Sequence, residues 1–176
     1  KSKDMVYSKV PYFMIKINQK NKKELILILP DIRSAENVGA MFRTADAAGV
    51  SKIYLNGYTP CPIDRFGRAR KDIAKASLGA EDSMPWEYVK SSVTLINKLK
   101  KEGYSIVGLE QDAKSINYRK FKMPNKCALI VGNEVLGVDK KIKTLCDVFI
   151  EIPMRGVKES LNVSVATGIA LYELLK

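Results

Sequence analysis

Five consecutive aliphatic residues, Leu25-Ile-Leu-Ile-Leu29, stand between the charged run Lys22-Lys-Glu24 and Pro30. A strand with one wet face alternates apolar and polar side chains. An unbroken aliphatic run is instead buried on both faces, as strands of parallel sheets are. Parallel strands need crossover connections, and the chain supplies them. Residues 37–48 carry Val38, Met41, Ala45 and Ala48 at helical spacing, with Gly49 as the stop. Further strands are expected at Lys52–Leu55, Tyr104–Leu109, Cys127–Val131 and Asp147–Ile152. Further helices are expected at 70–77, at 87–102 with Val89, Val93, Ile96 and Leu99 inward, at 138–145 and at 160–175. The expected fold class is α/β, a mostly parallel sheet with helices on both faces.

The 176 residues suffice for one well-filled core, and a 46% hydrophobic composition is that of a globular chain. Residues 1–24 are polar and basic, and read as an N-terminal extension to a domain spanning 25–176. No run is long enough to span a bilayer, and Lys1-Ser-Lys-Asp4 has no apolar signal-like core, so a cytoplasmic protein without a membrane partner is expected. Cys61, Cys127 and Cys146 are odd in number and far apart, which supports neither a disulfide framework nor a zinc site.

The chain contains no histidine. That removes the usual general base near neutral pH and the commonest metal ligand, and excludes serine–histidine and cysteine–histidine catalysis. Chemistry must run on Arg, Lys, Glu, Asp, Ser, Asn, Tyr or Cys.

A net charge of +11 favours a polyanionic partner, because each phosphate neutralised releases a condensed counterion. The cations are clustered. One group is Lys9, Lys16, Lys20, Lys22 and Lys23. A second is Arg65, Arg68, Arg70, Lys71 and Lys75, around Phe66. A third is Lys114, Arg119, Lys120, Lys122 and Lys126, with Tyr118 and Phe121 interleaved. Basic groups with rings among them suit single-stranded or looped RNA, where bases stack. A solvated, Lys-rich surface is the plainer alternative for each.

Three segments carry candidate chemistry. In Asp31-Ile-Arg-Ser-Ala-Glu-Asn37, leading to Arg43 and Asp46, a strand passes into a helix. Arg43 lies about 200° round that helix from Met41 and projects from the core. Taken alone, Asn37 could be an N-cap and Arg43 a partner of Asp46. In Val131-Gly-Asn-Glu134-Val-Leu-Gly137 a strand ends on a glycine, where a ligand can approach backbone, with a carboxylate at the apex of the turn. It is not the dinucleotide fingerprint, and alone it could be a plain turn in which Glu134 stabilises the next helix start. In Ile150-Glu-Ile-Pro153-Met154 through Ser160-Leu-Asn162 a strand stops at proline, crosses a polar loop and re-enters as a helix. Alone, Ser160 could be its N-cap and Asn162 a first-turn polar residue. The greasiness of that last helix (Leu161, Val163, Val165, Ala166, Ile169, Ala170, Leu171, Leu174) calls for cover beyond one sheet face, and a partner subunit is a natural source.

Taken in order, Asn37 with Arg43-Thr-Ala45, Gly132-Asn-Glu134 with Gly137, and Ile152-Pro-Met154 with Gly156 and Ser160-Leu-Asn162-Val-Ser164 resemble the three signatures of the SpoU (TrmH-like) branch of the SPOUT superfamily, the RNA ribose 2′-O-methyltransferases. The resemblance covers about residues 25–175. It implies a parallel-sheet domain whose C-terminal segment threads a deep trefoil knot, a homodimer, and a transferase moving a methyl group from S-adenosylmethionine to a ribose hydroxyl of tRNA or rRNA. S-adenosylhomocysteine would be the product, and no metal would be needed. Carried over residue by residue, Leu109, Gly132, Ile152, Met154 and Leu161 are the cofactor contacts. Arg43, Asn37, Glu134, Ser160 and Asn162 are the catalytic set, with Glu134 expected to hold the knot loop or reach across the dimer. Arg65, Arg68, Arg70, Lys75 and Arg155 are the expected substrate contacts, and Lys158 adds charge inside the third motif. The stretch Ile73-Ala-Lys75-Ala-Ser-Leu-Gly79-Ala-Glu81 also resembles one found in the family. No separate RNA-binding domain of the kind that some relatives carry ahead of the catalytic one is expected within these residues. The competing expectation is a catalytically inactive RNA-binding or ribosome-associated protein of the same fold. A nucleotide-binding regulator would call for a phosphate-cradling glycine loop, which the sequence does not contain.

Overall fold

The computed structural model describes residues 23–176 and the backbone pairing of Ser8–Lys9. The rest of the expected basic extension, with Lys16, Lys20 and Lys22, lies outside the described residues. The elements in chain order are β1 (Ser8–Lys9), β2 (Glu24–Pro30), α1 (Ala35–Ala48), β3 (Lys52–Asn56), α2 (Lys71–Ser77), α3 (Ala80–Ser83), β4 (Trp86–Val89), α4 (Ser92–Lys101), β5 (Ser105–Leu109), β6 (Ile116–Asn117), β7 (Lys126–Val131), α5 (Lys140–Lys143), β8 (Val148–Glu151) and α6 (Val163–Leu174). They form one sheet in the order β1-β4-β3-β2-β7-β5-β8-β6. Every described pairing between these strands is parallel except the short edge pair of β1 with β4.

β2 lies inside this sheet, and its aliphatic run is divided between the two faces. Leu25, Leu27 and Leu29 join one core with Met41 and Phe42 of α1, Ile73 of α2 and Leu171 of α6. Ile26 and Ile28 join a second core on the opposite face, with Leu95, Ile96 and Leu99 of α4 and Ile142 of α5. Helices therefore cover both faces.

Several expected boundaries move. The helix expected at 87–102 is two elements. Trp86–Val89 pairs in register with β3 from Ile53 to Asn56, so Val89 belongs to a strand. The helix begins after Ser91, whose hydroxyl accepts from the Thr94 N–H, and Val93 faces outward while Leu95 is buried. The last helix starts at Val163, with Asn162 rather than Ser160 as its N-cap. The first starts at Ala35, with Ser34 rather than Asn37 as its cap. The helix expected at 138–145 is the single turn Lys140–Lys143, capped by Asp139. The short elements α3 and β6 are additions.

Candidate active site

Parallel strands deliver their C-terminal ends to one edge of the sheet, where ligand crevices of α/β proteins form. β5, β7 and β8 are neighbours in the sheet, and the residues that follow them enclose a cavity of about 480 Å³. Leu109, Gly132, Ile152, Met154 and Leu161 all line it, as do Ser160 and Asn162. The volume lies within the roughly 300–1,000 Å³ usual for small-molecule sites. Aliphatic side chains from the strand ends and from α6 make the walls, while Glu110, Glu134 and Glu151 supply carboxylates in an otherwise strongly basic chain. The lining is thus part apolar and part polar.

The turn after β7 closes on itself by backbone contact. Asn133 and Gly137 exchange hydrogen bonds, N to O, at 2.9 and 3.0 Å. A Cβ at Gly132 would lie 2.4 Å from the Gly137 carbonyl carbon and 2.5 Å from the Val138 nitrogen, so only glycine fits. Gly137 has φ +68, and a Cβ there would strike the Glu110 carboxylate. Glu110 is itself fixed: it accepts from the Val138 N–H at 2.8 Å and pairs with Lys143 at 3.3 Å. Asn133 satisfies all its polar groups. It donates to the Asp31 carbonyl and to the Tyr58 hydroxyl, both at 2.7 Å, and accepts from the N–H groups of Val135 and Leu136. Glu110 was not named in the sequence reading, and Asn133 was quoted there within Gly132-Asn-Glu134 without a role. Asn133 could have been found from its place between Gly132 and Glu134, whereas nothing local marks Glu110 as the partner of a turn 27 residues on.

Glu134 sits at the start of α1. Its carboxylate accepts from Arg33 N–H at 3.0 Å, Ser34 N–H at 3.3 Å and the Asn37 side-chain amide at 3.0 Å. It thus satisfies orphan donors at a helix N-terminus, where the macrodipole also favours an anion. Burial pushes its carboxyl up, but the hydrogen bonds from Arg33, its own N–H, Asn37 and Ser34 outweigh this and hold its pKa below the ordinary glutamate value. Asn37 carries the link onward: its Oδ1 accepts from the Asn162 amide at 3.1 Å, and the Asn162 Oδ1 accepts from the N–H and hydroxyl of Ser164. Glu134, Asn37 and Asn162, one from each motif, form a single polar chain.

Ser160 is exposed on the loop rim. Arg43 is exposed on α1 and is not part of the cavity lining. The alternative pair with Asp46 is not formed, and the Asp46 carboxylate takes the Ser83 hydroxyl instead. Arg65, Arg68, Arg70 and Lys75 lie on the β3–α2 loop and on α2, and Arg155 on the loop between β8 and α6. None of these five lines the cavity. Arg70 is occupied by a two-point pair with Asp72.

A parallel α/β sheet with a strand-end cavity, closed by a glycine turn and a capped helix, is the layout that α/β proteins use for small-molecule sites. The chain belongs to the SpoU rRNA Methylase family, whose model matches residues 24–172. It is 36% identical over 154 residues to the 23S rRNA (guanosine-2'-O-)-methyltransferase RlmB of Salmonella typhi, a match covering 88% of this chain and 60% of the relative. The chain thus spans about three fifths of that relative's length. Its structure is similar to that of the AdoMet-bound rRNA methyltransferase from Sinorhizobium meliloti, with TM-score 0.78, 29% identity, and coverage of 86% of this chain and 56% of that one. It is also similar to the A. aeolicus TrmH/SpoU tRNA modifying enzyme, with TM-score 0.76, 33% identity, and coverage of 89% and 76%.

Proposed function

We propose that the chain binds S-adenosylmethionine in the strand-end cavity and transfers its methyl group to a ribose 2′-hydroxyl of tRNA or rRNA. One observation carries the reading. Leu109, Gly132, Ile152, Met154 and Leu161, named from three separated segments, line one cavity together with Asn162, which Asn37 holds. The rRNA and tRNA chemistry in the names of the relatives supports RNA as the acceptor.

When bound, S-adenosylmethionine supplies a methyl carbon already activated by its sulfonium. The chain's residues do the rest. Leu109, Ile152, Met154 and Leu161 would hold the cofactor's apolar part, and strand-end backbone would offer it fixed donors and acceptors. Arg43 would clamp an RNA phosphate and stabilise the negative charge that develops on the ribose oxygen. A guanidinium stays protonated at ordinary pH, so Arg43 is not the base; the hydroxyl proton leaves to a phosphate oxygen or water. Glu134 is not the base either, because its oxygens are occupied by donors that favour the ionised form. It fixes the N-terminus of the helix that bears Arg43, while Asn37, Ser160 and Asn162 align ribose and loop. Arg65, Arg68, Arg70, Lys75 and Arg155 meet the RNA backbone.

Residues 25–176 act as the transferase domain, as a homodimer in the cytoplasm, where the RNA is. The dimer is supported by the outer face of α6. Val165 and Tyr172 are more than half exposed or close to it (50% and 59%), and with Ile169, Ala40 and Thr44 they line an open groove between α1 and α6. A trefoil knot in the tail belongs to the same reading and rests on membership of the family.

The test is direct. The chain is incubated with rRNA or tRNA and S-adenosylmethionine carrying an isotopically labelled methyl group, and the digested RNA is read by mass spectrometry. Label in a 2′-O-methylnucleoside supports the proposal; label on a base, or none, overturns it.

A further inference from the structure

The β3–α2 loop leaves the same sheet edge as the cavity, tied there by Tyr58 to Asn133 and by Thr59 to the Leu29 carbonyl. Its far end is a small ordered finger. Ile63 and Ala69 form an antiparallel bridge, and the Arg70 N–H reaches the Pro62 carbonyl at 2.9 Å. Gly67, at φ +80, makes the turn. The Asp64 carboxylate organises the tip, accepting from the N–H of Phe66 at 2.8 Å, the N–H of Arg68 at 3.0 Å and the Arg68 Nε at 2.8 Å. These bonds, led by the Arg68 N–H and working against desolvation, hold the Asp64 carboxyl below its usual range.

Everything in this arrangement presents Phe66. Phe66 is 66% exposed and belongs to neither hydrophobic core, so packing of the fold does not require a ring there. The Arg65 and Arg68 guanidinium carbons lie 4.8 and 5.0 Å from its centroid. A water-exposed ring at the tip of a braced hairpin, in a segment with five cations and two carboxylates, is the chemistry that takes up a nucleobase and its phosphates. Stacking needs a base that is not already paired and stacked within a helix.

We infer that Phe66, framed by Arg65 and Arg68, is a stacking platform for an unpaired nucleobase near the target nucleotide, so that the finger selects looped or single-stranded RNA over duplex. The inference rests on RNA as the partner of the proposed transferase. Phe66 is a specificity residue; it does not touch the reacting atoms.

The experiment uses the full chain and two fluorescent RNAs, a hairpin with an unpaired loop and the duplex of its stem sequence. Phe66→Ala weakens binding to the hairpin about 10-fold and leaves the duplex unchanged, while Phe66→Trp restores the preference. The melting temperature and the affinity for S-adenosylmethionine, read by calorimetry, stay those of the unsubstituted chain. Equal loss on both RNAs, no loss on either, no binding of either RNA by the unsubstituted chain, or a change of oligomeric state in Phe66→Ala overturns the inference. The two ideas fail separately: loss of hairpin preference in a chain that transfers no methyl keeps the platform and rejects the transferase, and methyl transfer that ignores Phe66 does the reverse.

Discussion

Asn37 and Asn162 lie 125 positions apart in sequence and touch through their side chains, the Asn162 amide donating to the Asn37 Oδ1 at 3.1 Å. Each serves a different helix start. Asn37 stands in the first turn of α1 and gives its own amide to Glu134, while Asn162 caps α6. The contact joins the start of the Arg43-bearing helix to the rim of the cavity.

Breaking that contact is the first test. Asn37→Ala removes one donor from Glu134 and one acceptor from Asn162, and should cost about 1 kcal/mol of stability. Asn37→Asp sets a second carboxylate against Glu134 and should cost more. Thermal melts of both variants check the order; equal melting temperatures would deny the link any energetic role.

The low pKa of Glu134 fixes the sign of a pH effect. A carboxyl depressed in the folded state contributes stability that is present above its unfolded pKa and lost as pH falls through the folded one. The melting temperature of the natural chain should therefore drop as pH is lowered from the ordinary glutamate value of 4.5 toward the depressed one. Glu134→Gln should be less stable at neutral pH and flatter across that window. Parallel slopes for the two proteins would show that the ionised form is not what the Arg33, Ser34 and Asn37 donors hold.

Gly132 tests the turn that closes the cavity. Its missing Cβ would lie 2.4 Å from backbone carbon, and backbone cannot step aside as a flexible side chain can. Gly132→Ala should cost about 1–3 kcal/mol through overpacking and abolish S-adenosylmethionine binding measured by calorimetry. Normal affinity in this variant would place the ligand elsewhere.

Arg43 tests the chemistry. Arg43→Lys keeps a charge but loses the planar fork that grips phosphate at two points. Methyl transfer should fall about 100-fold, with S-adenosylmethionine affinity unchanged because Arg43 does not line the cavity. Near-normal rates would reject the two-point clamp.

The outer face of α6 tests the assembly. Ile169→Glu places a charge in the groove between α1 and α6. Sedimentation should show a dimer for the natural chain and a monomer for the variant. A monomer in both would remove the dimer from the account.

The sequence announced the fold through β2, because an unbroken aliphatic run admits few alternatives. It hid β4, because Trp86-Glu-Tyr-Val89 runs into a helix only two residues later, and the combined apolar pattern reads as one long helix. The strand is recognisable only once β3 lies beside it. The caps were misplaced for a related reason. Ser34 and Asn37, and likewise Ser160 and Asn162, are all good cap residues, and backbone angles decide between them: Ser34 is extended at φ −86, ψ 121. The residues of the cavity lining were reached through the family resemblance, and Leu109, Gly132, Ile152, Met154 and Leu161 do line one cavity. The polar chain that ties the motifs together was not, because a hydrogen bond spanning 125 positions leaves no trace in local spacing.

The central claim is that the strand-end cavity holds S-adenosylmethionine, and titration calorimetry of the purified chain tests it most directly. The account predicts saturable heat at one site per chain, retained in Arg43→Lys and absent in Gly132→Ala. A chain that releases no heat with S-adenosylmethionine, or a Gly132→Ala variant that binds it as well as the natural chain does, would contradict it.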